Sequence, residues 1–104
     1  MSSIVTLPSP PYYAVIAPAV LRHDLAGHGR MADAAMRAAS GLDGFHGIEV
    51  CAQPGFAMAV SYWRSLEAID EWRRHRTHEQ AKSLGRSRWF DQYATRIAQV
   101  IDAY

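Results

Sequence analysis

From Tyr12 to Ala17 the chain runs Tyr-Tyr-Ala-Val-Ile-Ala. A short aromatic and β-branched run of this kind predicts a first strand. Pro18 has no N–H to donate and is expected to end its ladder pairing. Asp24 is a plausible helix N-cap, and Leu25, His28, Ala32, Ala35, Met36 and Ala39 then recur at helical spacing to about Ser40. That helix is alanine-rich on its inner side and can pack close to whatever it covers. Gly41 is a candidate C-cap. Phe45 to Gln53 alternates as a second strand, Gln53-Pro54-Gly55-Phe56 is a tight turn, and Phe56 to Trp63 completes a hairpin. Along this third strand Ala57, Ala59, Ser61 and Trp63 share one face, and Phe56, Met58, Val60 and Tyr62 the other. Both faces are mostly apolar, so both need cover. Helices can supply one side, and a second copy of the chain is the simplest candidate for the other.

Ser65 is placed to cap the next helix, with Glu67 and Asp70 near its positive end. Leu66, Ile69, Trp72 and Arg73 form its expected inner stripe. Thr77-His78-Glu79-Gln80 fits a capping box, which predicts a kink or restart near Arg76. Gly85 is expected to close that second segment. The last segment reads two ways. Trp89, Tyr93, Ile97, Val100, Ile101 and Tyr104 fit an amphipathic helix, whereas Tyr93, Thr95, Ile97, Gln99 and Ile101 alternate as a strand. Periodicity slightly prefers the helix. Topology prefers the strand, because β-α-β-β-α lacks the closing strand of a split β-α-β unit. Residues 1–10 read as a flexible, proline-containing arm and residues 11–104 as one domain.

Composition narrows the function classes. A chain of 104 residues is one domain, and 49% hydrophobic content is enough to fold it. A net charge of +1 argues against nucleic acid held by general electrostatics. The longest apolar run, Tyr12 to Leu21, is interrupted by Pro18 and is too short to span a bilayer. The first residues show no basic region or cleavage pattern of a signal peptide. Cys51 is the single cysteine, so no intrachain disulfide forms, and a reducing cytoplasm is the expected location.

The chemistry-bearing residues concentrate where the third strand meets the following helix. Trp63, Trp72, His75 and His78 lie within sixteen residues there. Such a junction can wall a greasy pocket that carries proton-handling groups. Trp72 and Trp63 suit packing, or a flat wall for an aromatic molecule. His75 and His78 are three apart, hence on neighbouring helical faces. One could be a surface or capping residue and the other a general base, since imidazole titrates near neutral pH. Their spacing is not that of a zinc protease, and no metal site is expected. His28 falls among inner helix positions and suits a core histidine or the same cavity. Tyr13, Tyr62 and Tyr93 suit packing, although one could orient a substrate oxygen. Glu49 matters only if buried, and Cys51 has no basic surroundings to activate it. Arg73, Arg74, Arg76, Lys82, Arg86 and Arg88 form a basic region partly offset by acidic neighbours, with Asp70 and Arg74 forming an i,i+4 pair.

Several blocks together resemble the antibiotic biosynthesis monooxygenase (ABM) domain family. They are Pro11-Tyr12-Tyr13-Ala14-Val15-Ile16, Gly44-Phe45-His46-Gly47 with Glu49, and Ser61-Tyr62-Trp63. They continue through Trp72, His75, His78, Ala81, Gly85-Arg86 and Trp89-Phe90 to Tyr93, Arg96-Ile97 and Val100. The resemblance covers roughly residues 11 to 104. It implies an α+β, ferredoxin-like β-α-β-β-α-β domain that pairs as a dimeric α+β barrel, and so a strand for the last segment. It further implies a cofactor-independent monooxygenase acting on a small aromatic or quinol-like compound, with no cofactor. Within it His78 stands where the family pattern places a histidine and would be the base, with His75 or His28 as substitute. Trp72 and Trp63 would shape the cavity, with Tyr13 and Arg86 as further substrate contacts. The heme-degrading branch carries a strand-one asparagine and a histidine ten residues after the helical tryptophan. Here Lys82 holds the latter position and strand one has no asparagine, which disfavours heme, although His78 could ligate iron from a different place. A non-catalytic ligand-binding or stress-response dimer of the same fold is the alternative.

Overall fold

In the computed structural model, which describes residues 3–104, the first strand does not stop at Pro18. It runs on as β1, Tyr12–Leu21. The expectation failed because a proline in a strand removes a donor on one side only. Pro18 stays in register opposite Met58 of β3 (Phe56–Trp63), and its carbonyl still accepts the Ala94 N–H at 3.1 Å on the other side. That other side carries the visible damage. The chain there forms β4 (Phe90–Tyr93) and β5 (Arg96–Val100), two short strands on the same edge of β1. Their register is continuous, since Tyr93 lies opposite Ala19 and Arg96 opposite Ile16. The gap between them falls opposite Pro18, where the reciprocal N–H bond is missing. The last segment is therefore a strand, as the resemblance implied, against its mild helical periodicity.

With β2 (Phe45–Gln53) the sheet order is β2-β3-β1 followed by β4 and β5, all antiparallel. The hairpin β2-β3 has the predicted bounds. Its register shifts between Phe45 and Gly47, so His46 is bulged. The bulge changes the parity of β2. Phe45 faces the helices together with Ile48 and Val50, while Glu49 goes to the opposite face with Tyr62.

Helix α1 spans His28–Ser40. Asp24 is not its cap. Its carboxylate accepts the Ala26 N–H in a local turn, and Gly27, at φ 85°, precedes the helix. Ser65 caps α2 (Leu66–Arg74) by accepting the Ala68 N–H, as expected. The buried stripe is Ala68 and Ile69 with half-buried Trp72, whereas Leu66 is 49% exposed and Arg73 is on the surface. The restart near Arg76 exists, but its cap is His75 rather than Thr77. His75 takes an extended conformation between α2 and α3 (Arg76–Leu84), and its Nδ1 accepts the Thr77 N–H at 3.1 Å. Gly85 is the C-cap of α3, as expected, but the chain does not leave the helical path there. It continues as a wide π-type turn, Gly85–Trp89, into β4. Glycine is required there by close approach, because a Cβ would lie 2.5 Å from the Phe90 ring.

The helices cover one face of the sheet, with Ala39, Trp63, Ala68 and Ile69 at the centre of the core. On the other face Val5 of the arm donates its N–H to Glu49 at 3.2 Å and packs over Gly47. The Tyr62 hydroxyl donates to the same carboxylate at 2.6 Å, and Tyr12 meets Tyr62 edge-on. Part of the second face is thus covered by the chain itself. Val20 and Phe56 on that face remain over a third exposed. The part of the expected arm at residues 1 and 2 lies outside the described residues.

Candidate active site

Between the sheet and the helices lies a cavity of about 330 Å³. Its floor is made of small residues: Ala17 and Ala19 of β1, Ala57, Ala59 and Ser61 of β3. These occupy one face of two paired strands, and alanines opposite alanines leave space that larger side chains would fill. The roof is Ala32, Ala35 and Met36 of α1 with His78, Ala81 and Lys82 of α3. The same alanines that let α1 approach the sheet keep the hollow open.

One end of the hollow is aromatic. Trp63 is fully buried and its indole N–H donates to Ser61 Oγ at 2.9 Å. Phe45 meets it edge-on at 5.1 Å, and Trp72 stacks on it at 6.1 Å with the rings 26° apart. Trp72 in turn lies between two imidazoles, His75 at 5.6 Å and His78 at 4.9 Å. The helix break separates their roles. His75 is committed to its cap and does not line the cavity. His78 lines it, and its buried Nδ1 has no hydrogen-bond partner of good geometry among the described residues, although the Arg73 backbone acts on the imidazole. Burial holds the His78 pKa below its ordinary value of 6.5. The Arg73 backbone opposes this shift, and the Lys82 charge reinforces it. His78 is therefore a neutral imidazole at neutral pH.

At the opposite end His28 also lines the cavity, edge-on to Trp89 and Phe90 at 5.2 and 5.9 Å. Burial lowers its pKa as well. The Trp89 indole N–H donates to the Ala26 carbonyl at 3.1 Å, which fixes the start of α1 and with it His28.

The structure thus gathers four of the sequence candidates, Trp63, Trp72, His28 and His78, around one space. It leaves three outside. His75 is the cap. Tyr13 packs against the core, and its hydroxyl accepts from Gln99 at 3.5 Å. Arg86 is exposed in the π-type turn, where its carbonyl accepts from the Arg22 guanidinium. Ser61 and Lys82 were not singled out as site residues, yet both line the cavity. The β3 alternation already put Ser61 on the Trp63 face. Lys82 is one turn from His78, but sequence alone leaves it within a generally basic surface. Cys51 is exposed, and among the described residues no three His, Cys, Asp or Glu side chains gather as a metal would need. No helix among them is long and apolar enough to cross a membrane.

A split β-α-β sheet with a hollow between it and its helices defines an α+β domain of the ferredoxin-like type. The chain is 42% identical to the uncharacterized protein YqjZ of Bacillus subtilis (strain 168) over 101 residues, 96% of this chain and 89% of that protein. It is 33% identical over 48 residues to a jasmonate monooxygenase ABM of Pyricularia oryzae, 46% of this chain but 22% of the fungal protein. Among solved structures it is similar to Rv0793 from Mycobacterium tuberculosis, with TM-score 0.79 and 20% identity over 88% of this chain and 97% of that one. It is also similar to SnoaB, a cofactor-independent oxygenase from Streptomyces nogalater, with TM-score 0.76 and 7% identity over 88% of this chain and 95% of that one. A further neighbour, an antibiotic biosynthesis monooxygenase, gives TM-score 0.75 at 10% identity over 86% and 98%. No family model matches the chain. The chain belongs to one family with YqjZ, and it shares the fold of the antibiotic biosynthesis monooxygenase neighbours.

Proposed function

We propose that this protein is a cofactor-independent monooxygenase that oxidises a small aromatic or quinol-like compound inside the sheet-helix cavity. The observation that carries this is His78: a half-buried imidazole beside Trp72, with a buried Nδ1 that no group among the described residues satisfies. A neutral imidazole is the form that accepts a proton. The substrate ring lies against Trp72, and the cavity alanines exclude water. His78 removes a proton from a phenol or activated C–H. The resulting carbanion reduces dioxygen and joins it to form a peroxide on carbon. Cleavage of the O–O bond leaves one oxygen as a ketone and releases the other as water, so a CH₂ group and O₂ become C=O and H₂O with no external reductant. His28, at the far end, is the second group able to take or return a proton. The name of SnoaB as a cofactor-independent oxygenase supports this chemistry on this fold.

Oxygen uptake with anthrone-type phenols, and ¹⁸O incorporation from ¹⁸O₂ into the product, test the proposal. Turnover that incorporates the label and disappears in His78→Gln is the expected result. Labelled turnover that persists in His78→Gln overturns the role of His78.

One observation favours a second reading, a ligand-binding dimer without turnover. Among the described residues no carboxylate is hydrogen-bonded to His78, whereas a catalytic base is ordinarily oriented by a third group. Saturable binding of the same phenols with no oxygen uptake would establish it. Either way, a second copy is the proposed cover for the second sheet face, where Val20 and Phe56 remain exposed. Sedimentation equilibrium at micromolar concentration checks this, and a lone protomer would refute it.

A further inference from the structure

We propose that the molecule taken into this cavity is an amphipathic anion, an aromatic body carrying one acidic group, and that Lys82 is the residue that selects it. This rests on the cavity being the substrate site. The cavity wall is otherwise mostly aliphatic and aromatic, and among the described residues Lys82 is its one permanently charged lining residue. An ammonium bordering an apolar space ordinarily finds a carboxylate. Lys82 has none within ion-pair reach among the described residues, where the ion pairs are Arg22–Asp91, Arg64–Asp43 and Arg74–Asp70.

The geometry ties this charge to the chemistry. His78 and Lys82 are four residues apart on α3, so they stand one turn apart on one side of the helix. A ligand with its ring against Trp72 and its reacting atom at His78 places a carboxylate or an acidic phenol oxygen within a helical turn, at Lys82. Lys82 is itself exposed, so it stands at the mouth and presents its charge where an entering anion first meets the protein. Attraction between such a pair is stronger at an apolar mouth than in bulk water. It also discriminates, since a neutral molecule of the same shape gains nothing from the lysine. The other polar side chains that line it, Ser61, Tyr93, Thr95 and the two histidines, can hydrogen-bond but carry no permanent charge to balance an anion.

The test uses two fluorescent dyes of nearly one shape, 1-anilinonaphthalene-8-sulfonate and neutral N-phenyl-1-naphthylamine, titrated into the full-length protein. Energy transfer from tryptophan reports binding, and its loss in Ala59→Leu, which fills the cavity floor, assigns that binding to the hollow. The wild type is expected to bind the sulfonate tighter by about tenfold, an advantage that falls with added salt. Lys82→Met should remove the preference and leave the affinity for the neutral dye unchanged, while Lys82→Arg keeps it. Arg37→Gln removes the same charge from a residue that does not line the cavity, and should have no effect. Equal affinity of the wild type for both dyes, or a preference that survives Lys82→Met, overturns the role of Lys82 while leaving the cavity as the binding site. Failure of both dyes to bind with energy transfer overturns the cavity reading and this one together.

Discussion

The rings of Trp72 and His78 lie 4.9 Å apart at 55°, on opposite sides of the helix break at His75. An unbroken helix would turn these residues, six apart, about 120° away from each other. The break, capped by the His75 ring itself, lets both line one hollow. His78→Gln is expected to lower turnover on any accepted phenol by about 10²–10⁴-fold, the usual contribution of a positioned base. Because no hydrogen bond of good geometry to Nδ1 is lost among the described residues, the thermal midpoint should move little. Stopped oxygen uptake with an unfolded variant would instead mark the residue as structural.

His28 and His78 both have pKa values held below 6.5 by burial. The unfolded chain therefore takes up protons at these sites before the folded one does. The stability they support is complete above the unfolded value and declines as pH falls through 6.5 toward the depressed folded values. Urea midpoints measured at pH 8 and pH 5 should differ in that direction. The double variant His28→Gln, His78→Gln should flatten the slope.

Tyr62 titrates the opposite way. Burial and the Glu49 carboxylate push its pKa up to about 12. The folded state holds this proton longer than the unfolded chain, so stability is complete below pH 10 and is lost as pH rises toward 12. Ultraviolet titration should show one of the five tyrosines ionising later than the rest. Glu49→Gln should bring it back down, and Tyr62→Phe should abolish the late step.

Trp63 has no exposed surface and packs with Phe45, Trp72 and Ile69. Trp63→Ala should cost about 3–5 kcal/mol by denaturant unfolding, the range for deleting a large buried ring. Trp63→Phe, which keeps most of the volume but strips the bond to Ser61, should cost less.

Gly85→Ala places a methyl 2.5 Å from Phe90 Cε2. The Phe90 ring also borders the cavity beside His28, so its displacement is felt in both places. A destabilisation of about 1–3 kcal/mol, typical of overpacking, is expected, together with weakened dye binding. An unchanged thermal midpoint would show that Phe90 moves freely.

Local pattern alone determined much of this protein. The bounds of β2 and β3, the two faces of β3 and the Ser65 cap follow from alternation and from a serine ahead of an amphipathic run, both short-range properties. Trp72 and His78 could be chosen as a pair because both sit in that run. What remained hidden depends on partners distant in the chain. Pro18 could be read as an end only until its neighbours on each edge were known. The closing strand competed with a helix until β1 offered an edge to pair with. Glycine at 85 answers to the Phe90 ring folded back onto it. The cavity itself is a tertiary fact: alanines on α1, β1 and β3 each look like good packing, and only their meeting leaves a space. Lys82 likewise became distinct from its basic neighbours once the fold placed it, without a carboxylate, at the edge of that space.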